Sequence, residues 1–205
     1  LLGMLGAYCD HLRSHPCSLL ARIAGIYSVS MYSQTKRFVV MANIFPPASG
    51  APVVNARYDL KGSWVDRCAP PGSKTLKDSN WPAARTLALP PEARRALLRQ
   101  ARCDARFLSS LGLMDYSLLL GELDASAPVL WYQMGIIDYL QRWDVRKRLE
   151  RWAKIACFCR WGGHERSGMS AIAPHSYAQR FHRFVGCTLL GLAQEEVAAD
   201  WEEPS

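Results

Sequence analysis

Two aspartates, Asp115 and Asp138, each adjoin a short apolar run that predicts a β-strand. Asp115 comes just before residues 116–120, and Asp138 comes just after residues 129–137. A carboxylate beside a buried strand is costly unless it is paired or bound to a cation. In phosphoryl transfer, one carboxylate orients the attacking hydroxyl and another holds Mg²⁺ against the phosphates. Taken alone, the two residues also fit a plainer interpretation, in which both aspartates belong to turns.

The elements that must position these aspartates follow from hydrophobic periodicity and from turn residues. Helices are predicted over residues 1–12, 92–111, 144–154 and 174–192. Strands are predicted over residues 25–29, 37–43, 53–60, 116–120 and 129–137. We further expect strand 37–43 to be buried, the arginines of helix 92–111 to face solvent, and the acidic residues 195–205 to form a frayed tail.

Composition narrows the classes of protein to which the chain can belong. With 205 residues, 49% of them hydrophobic and 21% charged, the chain is long and apolar enough to bury a core. A formal net charge of +7 indicates an anionic partner, either a nucleic acid, an anionic membrane surface or a phosphorylated substrate. Because the sequence contains no recognisable docking motif for nucleic acid, we expect no nucleic-acid partner. Neither a membrane-spanning apolar run nor a signal peptide is predicted.

Several other reactive residues have plain interpretations. The seven cysteines are irregularly spaced, which is typical of reduced thiols in the cytosol. Cys157, Cys159 and His164 are either a fragment of a metal site or ordinary residues, since no fourth ligand stands at a suitable spacing. The five histidines are expected at the surface. Trp81 and Trp131 are expected to pack in the core or at an interface.

Five short segments with unusual composition occur in a fixed order along the chain. They are Tyr58–Ser63, Lys74–Asp78, Met114–Leu119, Gly135–Asp138 and Tyr177–Phe181. In type and order they resemble the signature segments of the phosphatidylinositol phosphate kinase family, most closely its phosphatidylinositol-4-phosphate 5-kinase branch. The resemblance implies transfer of the γ-phosphate of ATP to the 5-hydroxyl of phosphatidylinositol 4-phosphate, with ATP and Mg²⁺ as cofactors.

The same resemblance implies an α+β fold of the protein-kinase-like two-lobe type. Residues 1–45 match the remainder of an amino-terminal lobe and its hinge, and residues 46–194 match the carboxyl-terminal lobe. Residues 195–205 are then an acidic tail. The Pro46-Pro47 pair is typical of a connector between the two lobes.

Four residues take chemical roles from the resemblance. Asp115 matches the catalytic aspartate that faces the inositol hydroxyl, and Asp138 matches the aspartate that binds Mg²⁺. Lys61 matches a lysine that contacts phosphate as a compact positive charge. Arg67 matches a basic position associated with the phosphate already present on the lipid.

The adenine site is predicted in the segment that follows the second strand. By resemblance, Met41, Asn43 and Ile44 belong to the hinge, where backbone groups bind the base and apolar side chains cover it. Their residue types alone also fit a plain buried strand.

Residues 142–160 are predicted to contact the membrane. This segment has seven basic and two acidic residues, hence a net charge of +5, interleaved with aromatic and aliphatic side chains. Such a helix suits an anionic lipid surface, although a solvated charged helix has the same composition. Lys147, Arg148 and Glu150 match the part of the family that selects the lipid, and Glu150 favours the 5-kinase branch. The resemblance places the protein in the cytoplasm, peripherally on the inner face of the plasma membrane or another cytosol-facing membrane, and it leaves a homodimer open.

The sequence departs from a complete kinase of this type in two respects. It has no Gly-rich phosphate loop ahead of Arg37, and it lacks the strand lysine that binds the phosphates of ATP. Two explanations follow. In the first, the chain is a fragment of a longer gene product. In the second, it is a shortened relative that binds lipid without catalysis. The first is favoured because decay would also have altered Asp115, Asp138 and Lys61.

Overall fold

The structure is a computed structural model that describes residues 2–45, 54–123, 131–141 and 172–203. The α-helices are α1 (Leu5–Ser14), α2 (Pro91–Ser110), α3 (Pro174–Arg183) and α4 (Gln194–Glu202), with short 3-10 turns at Leu2–Met4 and Asp78–Asn80 and a π-helical continuation of α3 at Phe184–Leu189. The strands are β1 (Ile23–Met31), β2 (Gln34–Met41), β3 (Val54–Leu60), β4 (Leu76–Lys77), β5 (Ser117–Leu123) and β6 (Trp131–Ile137). These elements confirm the predicted α+β class, whereas the two-lobe arrangement stays a prediction. None of the described helices is long and apolar enough to cross a membrane.

A four-stranded sheet with the order β4-β3-β5-β6 forms the centre of the molecule. Strand β5 pairs antiparallel with both β3 and β6, and β4 pairs parallel with β3. Side chains from the sheet and from helices α2 and α3 share one buried cluster. Its fully buried members include Leu60, Leu118, Leu120, Ile136, Ala101, Leu108 and Phe181.

Helix α2 forms because its sequence supplies both a start signal and a buried face. Pro91 stands at the first helical position, where its missing N–H costs nothing. Leu98, Ala101, Ala105 and Leu108 recur at helical spacing and are all buried. This face packs against α3, which carries part of the candidate site.

The buried aspartate Asp104 fixes the amino-terminal segment to α2. Its side chain accepts hydrogen bonds from Ser18 Oγ at 2.7 Å and from Leu19 N at 2.7 Å, and it lies 2.7 Å from His11 Nε2. His11 is only 9% exposed, so the expectation of surface placement is wrong for this histidine. A buried carboxylate needs such partners, and a histidine supplies one.

The β1–β2 ribbon is more exposed than its sequence predicts. The two strands pair antiparallel, which confirms the predicted pair, but Phe38 is 45% and Val40 is 43% exposed. The prediction that strand 37–43 is buried is therefore wrong. The physical reason is that, within the described residues, no third strand joins the ribbon, so apolar composition alone does not bury it.

Helix α4 corrects two further expectations. Arg102, on α2, is buried and forms an ion pair with Asp200 at 3.2 Å, and Asp200 also lies 2.8 Å from His182 Nε2. Val197 and Trp201 are buried as well. Residues 194–202 are therefore a docked helix and not a frayed tail, Arg102 does not face solvent, and His182 is not at the surface. Burial lowers the pKa of His182, although the hydrogen bond with Asp200 opposes that shift.

The contacts of Asp200 predict a large effect on stability. We expect Asp200→Ala to lower the free energy of unfolding by about 3 kcal/mol, because buried Arg102 then keeps only the exposed Glu203 as a carboxylate partner and buried His182 loses its own. The matched control is Asp10→Ala, which breaks an ion pair with Arg13 whose two side chains are 78% and 74% exposed. That variant should unfold almost as the parent does. Both are measured by urea denaturation, and equal, small effects would contradict a docked α4.

Candidate active site

Four strand ends meet at one edge of the sheet. Leu60, the last residue of β3, pairs with Leu118 near the start of β5, and Ser117 pairs with Ile137 at the end of β6. The residues that extend these strands therefore lie at the same edge. They are Lys61 after β3, Asp78 after the parallel strand β4, Asp115 before β5 and Asp138 after β6.

The chain turns sharply at both candidate catalytic aspartates. Asp115 has φ +66° and Asp138 has φ +60°, which is left-handed backbone that aspartate tolerates better than most residues. Behind them, Met114 N donates a hydrogen bond to Gln141 O at 3.0 Å, which ties the start of β5 to the chain that leaves β6. The structure thus confirms that the two aspartates stand at the ends of neighbouring strands, whereas their catalytic roles stay predictions.

Lys61 and Asp115 form an ion pair across this edge. Lys61 Nζ lies 2.9 Å from Asp115 Oδ1, and the two side chains are 14% and 22% exposed. A partly buried lysine is well suited to contact both a carboxylate and an incoming phosphate, because its ammonium carries three donors. The pair brings together two of the three residues predicted to carry the chemistry.

Asp138 and Asp115 also fit the oxygen ligands that Mg²⁺ prefers. Asp138 is exposed, so its carboxylate is accessible from solvent. In the part of the chain that the structure describes, no cluster of three or more metal-type side chains forms. Mg²⁺ is commonly held by one or two carboxylates, with substrate phosphates and water completing its shell. The donor set is therefore suited to Mg²⁺ bound together with a nucleotide.

Arg67, predicted to contact the lipid phosphate, has two carboxylate partners within the chain. Its Nε donates to Asp78 Oδ2 at 2.7 Å, and its Nη2 donates to Asp59 Oδ1 at 2.8 Å. Burial disfavours the charged guanidinium, but the hydrogen bonds to Asp78 and Asp59 outweigh burial and raise the pKa of Arg67. Arg67 therefore stays charged and holds the loop before β4 against the sheet edge; a lipid contact stays a prediction.

Arg180 is a site residue to which sequence reasoning assigned no role. It lies on α3, with its guanidinium 4.9 Å from the centre of the Tyr177 ring. Burial lowers the pKa of Arg180, whereas the charges of Asp78 and Asp115 oppose that shift. A cation in the field of both carboxylates belongs to the same charge cluster. The Tyr177–Phe181 segment gave a signal, since it matched the family in order, but it did not indicate which residue acts.

The predicted adenine hinge lies against strands β5 and β6, where Phe45 contacts Gly121 and Ile44 contacts Gly135. Met41 ends β2, Asn43 is exposed, and Asn43 Oδ1 accepts a hydrogen bond from Phe45 N at 3.0 Å. Ile44 packs so closely on Gly135 of β6 that any side chain at that glycine would collide with it. The hinge segment is thus fixed to the same sheet as the aspartates, while its contact with adenine stays a prediction.

The remaining predicted residues lie outside the described residues. They are Lys147, Arg148 and Glu150 of the basic segment, together with Cys157, Cys159 and His164. Of the two tryptophans, Trp81 is 6% exposed and packs in the core, as predicted.

The amino-acid sequence is similar to those of known proteins. The family described as phosphatidylinositol-4-phosphate 5-kinase matches residues 1–128 and 122–187. The chain is 42% identical over 128 residues to phosphatidylinositol 4-phosphate 5-kinase-like protein 1 of Homo sapiens, covering 58% of this chain and 31% of that protein. It is 37% identical over 135 residues to phosphatidylinositol 4-phosphate 5-kinase its3 of Schizosaccharomyces pombe, covering 62% and 18%.

A third relative carries a different substrate in its name. The chain is 34% identical over 176 residues to 1-phosphatidylinositol-3-phosphate 5-kinase FAB1A of Arabidopsis thaliana, covering 80% of this chain and 10% of that protein. The chain thus spans between 10% and 31% of the length of these relatives. Since the family match extends over most of its residues, the chain belongs to the phosphatidylinositol-4-phosphate 5-kinase family of phosphatidylinositol phosphate kinases.

Proposed function

We propose that this chain carries the catalytic carboxylates of a kinase that transfers the γ-phosphate of ATP to the 5-hydroxyl of phosphatidylinositol 4-phosphate. The observation that carries the proposal is the ion pair of Lys61 with Asp115, 2.9 Å apart at the sheet edge where Asp138 also lies. Family membership supports the lipid kinase class. Phosphatidylinositol 4,5-bisphosphate and ADP are the products.

Three residues of the edge have a task in this reaction. Asp115 accepts the proton of the inositol 5-hydroxyl. The hydroxyl oxygen bonds to the γ-phosphorus of ATP, and the bond between that phosphorus and the ADP oxygen breaks. Lys61 neutralises charge on the transferred group and holds the Asp115 carboxylate in place through their ion pair of 2.9 Å. Asp138 would hold Mg²⁺, which supplies charge neutralisation between the phosphates when bound.

The proposal also assigns the adenine-binding segment and the two lobes. Met41, Asn43 and Ile44 form the adenine-binding hinge, and residues 1–45 and 46–194 belong to two kinase lobes. The position of Ile44 on Gly135 supports this assignment, because it fixes the hinge over β6, the strand that directly precedes Asp138.

Two observations support phosphatidylinositol 4-phosphate as the lipid substrate. Glu150 matches the 5-kinase branch, and the human and fission yeast relatives are named for phosphatidylinositol 4-phosphate. Arg67, Lys147 and Arg148 are proposed to lie near the lipid headgroup. The Arabidopsis relative is named for the 3-phosphate lipid, so that lipid is the informative competitor in any assay.

A second candidate is a phosphoinositide-binding protein without catalysis. The observation in its favour is the basic segment of residues 142–160, whose net charge of +5 suits an anionic lipid surface without any catalytic step. Lipid binding that is independent of ATP and unaffected by Asp115→Asn would support it.

The kinase proposal predicts which lipid is labelled. With radiolabelled ATP, Mg²⁺ and separate liposomes of the 3-, 4- and 5-phosphate lipids, the longest natural polypeptide that contains this sequence should label the 4-phosphate lipid. Asp138→Asn should reduce labelling at least about a hundredfold, since loss of one electrostatic contact with the transition state typically costs 10²–10³ in kcat.

The matched control for this variant is Asp66→Asn. Asp66 is also an exposed aspartate with left-handed backbone, at φ +58°, but it does not directly follow or precede any strand of the sheet. It should retain most of the activity. Label on the 3-phosphate lipid alone would correct the substrate, and binding to liposomes without label on any lipid would replace the kinase by the second candidate.

We propose that residues 142–160 attach the protein to a membrane, and that it is a cytoplasmic protein on the inner face of that membrane. Lys147→Ala with Arg148→Ala should weaken binding to phosphatidylserine-containing vesicles about thirtyfold, because each base near an anionic surface contributes about 1 kcal/mol. Arg95→Ala with Arg99→Ala removes equal charge from exposed positions of α2 and should have little effect. Equal losses in a sedimentation assay would mean that total charge, and not this segment, determines binding.

A further inference from the structure

The carboxylate of Asp78 organises the chain that carries Lys61, and no role has been assigned to it so far. We infer that Asp78 is a positioning residue, which aims Lys61 at Asp115 by holding the backbone of residues 61–63. This inference rests on the proposed kinase function for its catalytic consequence, but the geometry that it describes does not.

Three successive backbone N–H groups converge on one oxygen of this carboxylate. Asp78 Oδ1 accepts hydrogen bonds from Lys61 N at 2.9 Å, from Gly62 N at 2.8 Å and from Ser63 N at 3.4 Å. Consecutive N–H groups form such an anion-binding concavity when one residue of the turn is left-handed. Gly62 supplies that conformation, with φ +64°.

The second oxygen of Asp78 is occupied by a cation. Asp78 Oδ2 accepts a hydrogen bond from Arg67 Nε at 2.7 Å, and the side chains of Asp78 and Arg67 are 6% and 10% exposed. Every one of these four contacts needs an acceptor on Asp78. A carboxylate is acceptor-only, whereas the amide of asparagine has one acceptor oxygen and an NH₂ group that only donates. The site is therefore built for an aspartate.

Strand register explains why Asp78 reaches this position. Strand β4 pairs parallel with β3, with Tyr58 opposite Leu76 and Asp59 opposite Lys77. The next residue, Asp78, therefore lies beside the end of β3 and the turn that follows it. The loop between the strands is closed by Ser79 N, which donates to Arg67 O at 2.9 Å.

The turn that Asp78 holds is the base from which the Lys61 side chain extends to Asp115. The Lys61 ammonium has a fixed reach, so a shift of its backbone is transmitted to the contact of 2.9 Å with Asp115 Oδ1. Misplacement of a catalytic group by about 1 Å can cost about 10²-fold in rate. Asp59, in contrast, binds Arg67 but makes no hydrogen bond to residues 61–63 among the described contacts.

The first arm of the test measures the reactivity of Lys61 and needs no activity. Acetylation by N-hydroxysuccinimide acetate, quantified by mass spectrometry, should be slow at Lys61 in the 205-residue chain because its ammonium is paired and mostly buried. It should rise several-fold in Asp78→Asn, and also in Asp115→Asn as the positive control, but not in Asp59→Asn. Lys36 and Lys74 serve as internal references, since a rise at all lysines would indicate unfolding.

The second arm measures turnover in the longest natural polypeptide that contains this sequence. Asp78→Asn should lower kcat by about 10- to 100-fold with little change in the KM for ATP, since the affected group acts on the transferred phosphate. In a Lys61→Met background, Asp78→Asn should lower kcat little further, because Asp78 acts through Lys61. Asp59→Asn should retain most of the turnover.

The outcomes test the positioning role of Asp78 and the proposed kinase function separately. If Lys61 reactivity does not change in a folded Asp78→Asn protein, or if the two substitutions lower kcat independently, Asp78 does not position Lys61. If the parent has no kinase activity on any lipid, the proposed function fails while the acetylation arm still tests the positioning. Should Asp78→Asn not fold, Asp78→Glu keeps the charge but moves the carboxylate, and it should raise Lys61 reactivity to a smaller extent.

Discussion

The pairing of β5 with both β3 and β6 is the constraint on which the site depends. Because β5 is antiparallel to both neighbours, the end of β3, the start of β5 and the end of β6 fall at one edge, and the parallel strand β4 adds its own end there. Four residues from separate parts of the chain, Lys61, Asp78, Asp115 and Asp138, are thereby collected at one edge of the sheet. A register shift by one residue would turn the strands' side chains to the opposite face and dissolve the group.

Most of the carboxylates at this edge are neutralised by neighbouring cationic side chains. Lys61 pairs with Asp115, and Arg67 pairs with Asp59 and Asp78, through partly buried ion pairs. Arg180 lies in the electrostatic field of Asp78 and Asp115. Such pairs are stable only while both partners remain, since a lone charge at low exposure is costly. Asp138 differs because it is exposed. It is thus the carboxylate of the edge best placed to receive a hydrated cation from solvent.

Sequence reasoning recovered five of the six described strands, the long helices α2 and α3 and the two aspartates, because each depends on local periodicity or on a short motif. It failed where the answer depends on what packs against an element. Val40 is apolar yet exposed, since burial needs a covering layer, and Arg102 is charged yet buried, since Asp200 lies far along the chain. The roles of Asp78 and Arg180 were also missed. Their residue types are ordinary, and only the register of β4 and the docking of α3 bring them to the site.

The backbone at Asp115 and Asp138 adds a reason why both positions carry aspartate. Left-handed backbone costs most residues about 1–2 kcal/mol, and less for Asp and Asn, whose short polar side chains bond locally. The sharp turns let both carboxylates leave the sheet at its edge, where alternation along an extended strand would have sent them to its faces. Asparagine tolerates the same backbone, so Asp→Asn removes the charge and leaves the turn intact, whereas alanine would alter both. Loss of activity in an asparagine variant therefore reports on the charge itself, and the two contributions of these aspartates, to the turn and to the chemistry, become separable.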